Sequence, residues 1–282
     1  MRTNDAGGGA HPRAGDPAGS FGDRRRAPLP TRVTDLPLLP PAFGAAFDEG
    51  LGELRLELDG PAREAIEAHV RLLLAWNAAI NLTAIEDPAD VAVLHVVDSL
   101  AAVPLLRALG AAEGDLLDLG SGGGFPGLPI AAALPGIRAL LLDSVAKKAR
   151  FLETAAEATG LTERVRAGAV RSEALAADPD HRGHWDLVTA RAVGSLADLV
   201  ELALPLLRVG GRLVVWKRGD LASELAVATR ACVAIGGAPP QVRGPLLPGR
   251  LAEHRLVVVT KLRPTPAEFP RDPATRRRRP WG

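Results

Sequence analysis

Asp115-Leu116-Leu117-Asp118-Leu119-Gly120-Ser121-Gly122-Gly123-Gly124-Phe125-Pro126-Gly127 decides how the rest of the chain is read. An apolar run carrying one acid breaks into five glycines within eight residues, the composition of a buried strand entering a ligand-binding turn. Glycine lets the backbone take positive φ and lets a ligand approach where a Cβ would stand. A second apolar run, Ala139 to Leu142, ends at Asp143, nineteen residues beyond Gly124. Glycines in a first strand-to-helix turn, followed by an acid after the next strand, form the pattern of a nucleotide-type site.

Asp118 narrows the choice of nucleotide. Dinucleotide folds favour Gly-x-Gly-x-x-Gly, rest the pyrophosphate on the helix start and keep carboxylates away from it. Here the third glycine comes one residue early, Phe occupies position 125, and Asp118 stands two residues before the first glycine. A carboxylate there repels a pyrophosphate but suits an ammonium group. S-adenosylmethionine carries an ammonium, a sulfonium and no phosphate, so it is the expected cofactor. Asp118 is assigned to the ammonium, Gly124 and Gly127 flanking Phe125-Pro126 to wrapping the methionine end, and Asp143 to the ribose hydroxyls, with Gly120 and Gly122 of the same turn also taken as cofactor-binding. A turn serving only packing is the bland alternative. A nicotinamide-dependent oxidoreductase is the rival enzyme.

Around this stretch the pattern alternates. Strands are expected at 115–119, 138–143, 165–169, 185–190 and 211–217, with helices near 127–134, 145–159, 195–207 and 221–235. Such βαβ alternation predicts an α/β fold with a mostly parallel, doubly wound sheet. The last strand, 254–262, follows a Pro-rich link without a helix and should run antiparallel. Upstream, Ile66, Val70, Leu73 and Leu74 recur at helical spacing, and a second helix is expected over Val91 to Leu109 with a break near Pro104. The expected domains are therefore a disordered extension over 1–40, an N-terminal helical cap over 41–110, the sheet domain over 111–264 and an irregular basic tail over 265–282. Arg24-Arg25-Arg26 in the extension reads as a solvated charge run.

Composition sets outer bounds. At 282 residues and 47% apolar content the chain can bury a sizeable core. Pro, Arg, Asp or Gly interrupts every apolar run short of a membrane span. Cys232 is the lone cysteine, so no internal disulfide and no thiolate metal cluster can form, which points to a reducing, cytoplasmic setting and to no metal. Net charge is +1, yet residues 250–282 hold nine Lys or Arg against Glu253, Glu268 and Asp272. That asymmetry points mildly to a polyanionic partner.

Two basic residues stand where a parallel sheet presents its ligands, at the carboxyl ends of strands. Arg191 ends the fourth strand and Lys217 the fifth. The Asn/Asp-Pro-Pro-aromatic arrangement that serves exocyclic amines is missing there, which suggests a nucleophile needing no assistance, such as a ring nitrogen. Arg191 suits a base edge, the cofactor carboxylate or an internal salt bridge, and Lys217 suits a phosphate or base. Ser172 and Glu173 follow the third strand, where an adenine ring would lie. His95, Asp98 and Ser99 share one helix, but Asp98 sits too far round it to orient His95 for a hydrolytic triad.

Several longer motifs carry a resemblance. They are Trp76-Asn77-x-x-Ile80-Asn81-Leu82-Thr83-Ala84-Ile85, His95-x-x-Asp98-Ser99-Leu100, Asp118-x-Gly120-Ser121-Gly122-x-Gly124-Phe125-Pro126-Gly127-Leu128-Pro129, Leu142-Asp143-Ser144-x-x-Lys147-Lys148, and Thr189-Ala190-Arg191-Ala192 with Lys217. Over roughly residues 45–275 the chain resembles the bacterial small-subunit ribosomal RNA guanine-N7 methyltransferases, also called glucose-inhibited division protein B. The resemblance implies a class I S-adenosylmethionine methyltransferase fold and methylation of N7 of one guanine in 16S ribosomal RNA near the decoding centre. It implies cofactor contacts at Gly120, Phe125, Ser172, Glu173 and Arg191. A monomer acting on 16S RNA or the small ribosomal subunit is expected, with no membrane partner. A non-catalytic RNA-binding assembly factor is the competing non-enzyme reading.

Overall fold

The computed structural model describes residues 28–191, 194–244, 247 and 249–282. Residues 1–27 of the extension expected over 1–40, with Arg24-Arg25-Arg26, and Ala192 of the fourth-strand motif lie outside the described residues. Seven strands form one sheet in the order β3-β2-β1-β4-β5-β7-β6. They are β1 Gly114–Leu119, β2 Ile137–Leu142, β3 Val165–Gly168, β4 Trp185–Arg191, β5 Leu207–Arg218, β6 Gln241–Arg243 and β7 His254–Thr260. The first five pair in parallel and β7 runs antiparallel to β5, as expected from the alternation, and the arrangement is the class I methyltransferase fold that the resemblance implied. Chain direction across the sheet reverses between β1 and β4, so the crevice at their carboxyl ends is the place for a ligand. β6 falls inside the Pro-rich link; its three residues are all exposed, so no apolar alternation marks it.

Of the N-terminal helices, α1 (Pro41–Leu54) packs on the helical stretch that begins at Pro88, and α2 (Gly60–Ile80) packs on the helices that follow β1 and β2. Phe43, Phe47, Leu73, Trp76 and Phe151 join Leu116 and Leu141 of the sheet in a single hydrophobic cluster, so these helices share the core. Helix α2 starts where the Asp59 side chain accepts from the Ala62 N–H at 2.8 Å, satisfying a donor the first turn leaves open. A third long helix, Pro88–Ala108, begins the same way, with Asp87 accepting from the Asp90 N–H at 3.0 Å. It breaks at Ala101, three residues before Pro104, because a proline ring crowds the carbonyl four residues earlier. By length and composition this helix could cross a membrane, yet most of it is buried in the protein.

Both ends depart from expectation. Residues 28–40 pack, where a disordered extension was expected. Trp76 Nε1 donates to the Pro30 carbonyl at 2.7 Å, Arg71 Nε to that of Pro37 at 2.8 Å, and Leu29, Val33, Leu36 and Leu39 rest on the core. Beyond one short turn, in which Leu36 N donates to the Val33 carbonyl at 3.0 Å, this proline-rich segment pairs little of its own backbone, and side chains of α2 satisfy its carbonyls. The basic tail is likewise ordered and holds a helix, Pro273–Arg278. Its anchor is Glu201, wholly buried on the helix Leu196–Ala203. Glu201 accepts from Arg271 N, Nε and Nη2 at 2.8, 2.9 and 2.6 Å and from Trp281 Nε1 at 2.5 Å.

Burial alone pushes the Glu201 carboxyl up, but the hydrogen bonds from Arg271 and Trp281 outweigh it and hold the group below its usual range. A carboxyl with a lowered folded pKa stabilises above its ordinary value of 4.5, and the contribution disappears as pH falls through the folded value. Glu201→Ala should cost about 3 kcal/mol at neutral pH, since it strands Arg271 and the Trp281 indole. Chemical denaturation should show that deficit shrinking below pH 4.5; a deficit unchanged with pH would refute the ion-pair account.

Candidate functional site

After β1 the chain turns on Gly120, Gly122 and Gly124, all at positive φ (72°, 54° and 90°). The turn is stitched to the end of β2. Ser121 N donates to the Leu142 carbonyl at 2.8 Å and Gly122 N to Asp143 Oδ2 at 3.2 Å, while Asp143 Oδ1 accepts from Val145 N at 2.8 Å. Two cavities meet at Gly120. The larger, about 580 Å³, is lined by Gly122, Phe125, His95, Arg191, Lys217 and His254 among others. The smaller, about 260 Å³, takes in Asp143, Ser172, Glu173 and Arg276. Of the residues expected from sequence, Asp118, Gly124 and Gly127 line neither.

Asp118 corrects the reading. Expected to hold an ammonium group, it is instead fully buried beneath the turn, with Oδ1 accepting from Thr189 Oγ1 at 2.7 Å and Oδ2 from Gly127 N at 3.2 Å. Burial pushes its pKa up against those hydrogen bonds. The carboxylate thus joins β1 to β4 and to the start of the next helix, Gly127–Ala133. A Cβ on Gly127 would stand 2.5 Å from Leu141 Cδ2 and 2.8 Å from Asp118 Cβ. The glycine is there for space.

Arg191 lies over Phe125, its guanidinium carbon 5.3 Å from the ring centroid, and also forms the internal salt bridge. Nη1 donates to Asp98 Oδ2 at 3.0 Å and to the Leu94 and His95 carbonyls at 3.2 and 3.3 Å. Those two carbonyls belong to a π-helical stretch, Ala92–Val97, a form that shifts backbone pairing and recurs at functional sites. His95 stacks on Phe125 at 4.9 Å, with Nε2 2.7 Å from Thr83 Oγ1 and Nδ1 3.3 Å from Arg191 Nη2. His69 also packs on Phe125, with ring centroids 4.6 Å apart, and its Nε2 meets the Gly123 carbonyl at 2.7 Å. Burial, then Arg191, lowers His95 to about 4; burial also takes His69 to about 4. Both rings are neutral at physiological pH.

The remaining expected residues are paired. Lys217 Nζ donates to Glu224 Oε1 at 2.6 Å and to the Gly194 carbonyl at 3.1 Å, so its charge is matched at the cavity wall. Glu173 bonds with Arg276 of the C-terminal helix, which therefore closes the smaller cavity. Sequence reasoning missed Arg276, His69, Trp216 and His254. Asp98 Oδ1 receives His254 Nδ1 at 2.8 Å, and its carbonyl receives Trp216 Nε1 at 2.8 Å. One signal for His69 was visible: it falls on the buried stripe of Ile66, Val70 and Leu73, where a polar ring needs a partner.

Residues 62–245 match the family model for rRNA small subunit methyltransferase G. The chain is 40% identical over 225 residues to the ribosomal RNA small subunit methyltransferase G of Roseiflexus sp. (strain RS-1), covering 80% of this chain and 94% of that protein. It is 38% identical over 237 residues to the protein of the same name from Symbiobacterium thermophilum, covering 82% and 94%. Among solved structures it is similar to the S-adenosylmethionine-dependent methyltransferase SibL in its apo form, with TM-score 0.47, 20% identity and coverage of 78% and 77%.

Gly127→Ala should destabilise the fold by about 2 kcal/mol through overpacking against Asp118 and Leu141, read as a lowered thermal midpoint. The two neutral histidines set a pH dependence. Unfolded, each titrates near 6.5; folded, near 4. Unfolding therefore takes up protons below pH 6.5, and stability should fall as pH drops from 6.5 towards 4. The midpoint of a His95→Gln variant should fall less steeply over that window; an identical slope would show that His95 is not held neutral.

Proposed function

Because the chain belongs to the rRNA small subunit methyltransferase G family, we propose that it transfers a methyl group from S-adenosylmethionine to N7 of a guanine in 16S ribosomal RNA. One observation carries the choice of cofactor. The Gly127 N–H at the helix start, which a pyrophosphate would take, already donates to Asp118. A buried carboxylate at that place opposes a phosphate and leaves a cationic methionine end undisturbed. Asp118 therefore bears on the choice of cofactor by occupying the helix start, and not by holding the ammonium as expected from sequence.

The residues present fit S-adenosylmethionine. Asp143 lies at the end of β2 for the ribose hydroxyls, and Ser172 and Glu173 line the smaller cavity on the adenine side. The positive-φ turn of Gly120 and Gly122 offers backbone without Cβ atoms to the methionine end. When bound, the cofactor supplies a methyl group activated by the sulfonium. Guanine N7 has a free lone pair at neutral pH, so the protein's task is to place it in line, and no general base is required. Arg191 is held rigid by Asp98 and Phe125 to wall the larger cavity. Neutral His69 and His95 add no charge beside a site that must accept a cation.

A non-catalytic assembly factor would have no use for the two cavities that meet at Gly120, and an oxidoreductase would need the helix start that Asp118 occupies. Action on ribosomal RNA implies the cytoplasm, which suits the lone, buried thiol of Cys232; a monomer is part of the same proposal. Labelled S-adenosylmethionine offered to small-subunit RNA, assembled subunits and free nucleotides should label RNA at a guanine. Calorimetry should show S-adenosylhomocysteine binding; heat with NAD and none with S-adenosylhomocysteine would overturn the reading. Arg191→Lys keeps the charge but loses the planar stack and fork, and should slow transfer about 10-fold or more.

A further inference from the structure

We infer that His254 accepts a hydrogen bond from the target guanine, with Asp98 fixing the ring for that purpose; this rests on the methyl-transfer reading above. His254 opens β7 opposite Arg218 of β5 and lines the larger cavity. Its Nδ1 lies 2.8 Å from Asp98 Oδ1. The other oxygen of this buried carboxylate already binds Arg191, so Asp98 can only accept and Nδ1 carries the hydrogen. In the neutral ring the lone pair is then on Nε2. Nε2 has no hydrogen-bond partner among the described residues, and the side chain is 19% exposed at the cavity. His95 differs, because Thr83 and Arg191 engage its two nitrogens.

The other polar side chains at the cavity are spoken for or are donors. Arg191 and Lys217 can only donate, Thr83 is bonded to His95, and Ser121 donates to the Asp118 carbonyl at 3.1 Å. His254 Nε2 supplies the acceptor that a guanine needs. With N7 and O6 turned to the methyl donor, the guanine presents N1–H and the N2 amine on its far edge, both donors. Methylation at N7 leaves the ring positively charged, which strengthens those donors. A fixed acceptor therefore binds the transition state more tightly than the ground state. His254 takes no proton; N1–H and the amine stay on the base. Adenine carries a lone pair at N1, so the same acceptor opposes it and favours guanine.

Three variants separate the roles. Asn places its amide near Nδ1 and keeps the tie to Asp98 without the acceptor in the cavity; Gln reaches the place of Nε2 and keeps the acceptor without the tie. Single-turnover methyl transfer to small-subunit RNA should slow about 10- to 100-fold in His254→Ala and His254→Asn. His254→Gln should recover most of the lost rate, and S-adenosylhomocysteine affinity should stay at the wild-type value in all three. A wild-type rate in His254→Asn would make the residue merely structural. A parallel loss of S-adenosylhomocysteine affinity would assign it to the cofactor instead. Wild-type protein that labels no RNA would refute the methyl-transfer reading itself, independently of these variants.

Discussion

A single buried carboxylate sets the shape of the ligand crevice. Asp118 is removed from water between two strands and a helix start, a position tolerable only because Thr189 and Gly127 supply hydrogen bonds to it. Their approach dictates what surrounds it. Residue 127 must lack a Cβ, and the chain from Gly120 must double back within a few residues to bring its amide into reach, which forces positive φ along the turn. The glycines that look like a ligand cradle are thus first the consequence of an internal hydrogen bond. The cradle is what that bond leaves behind.

Asp98 plays the corresponding part between helix and sheet. Carried on the long helix Pro88–Ala108, it gathers Arg191 from β4, His254 from β7 and, through its carbonyl, Trp216 from β5. Three strands that diverge with the sheet's twist are thereby referred to one point. The π-helical stretch beside it exposes the Leu94 and His95 carbonyls to the Arg191 guanidinium. The N-terminal helices accordingly form a wall of the site as well as part of the core.

How much of this the sequence disclosed depends on the range of the forces involved. β1 to β4 and the helices between them are legible because apolar runs and glycine breaks are local signals. The residues around the crevice were largely identified, since carboxyl ends of parallel strands are predictable places. Their partners were not. Nothing near Asp118 in sequence announces Thr189, and nothing near Arg191 announces Asp98, 93 residues away. Residues 28–40 and the C-terminal tail were misread for the same reason: composition made them look unstructured, while Arg71, Trp76 and Glu201 supply their order from distant helices.

The C-terminal strap has a temporal consequence. Proteins emerge from the ribosome N-terminus first. Arg276 pairs with a residue 103 positions earlier, and His254 with one 156 positions earlier. A nascent chain lacking residues 254–282 therefore carries the glycine turn but neither the far wall of the large cavity nor the closure of the small one. The crevice is complete only once residues 254–282 have joined the fold, after all five parallel strands have been made.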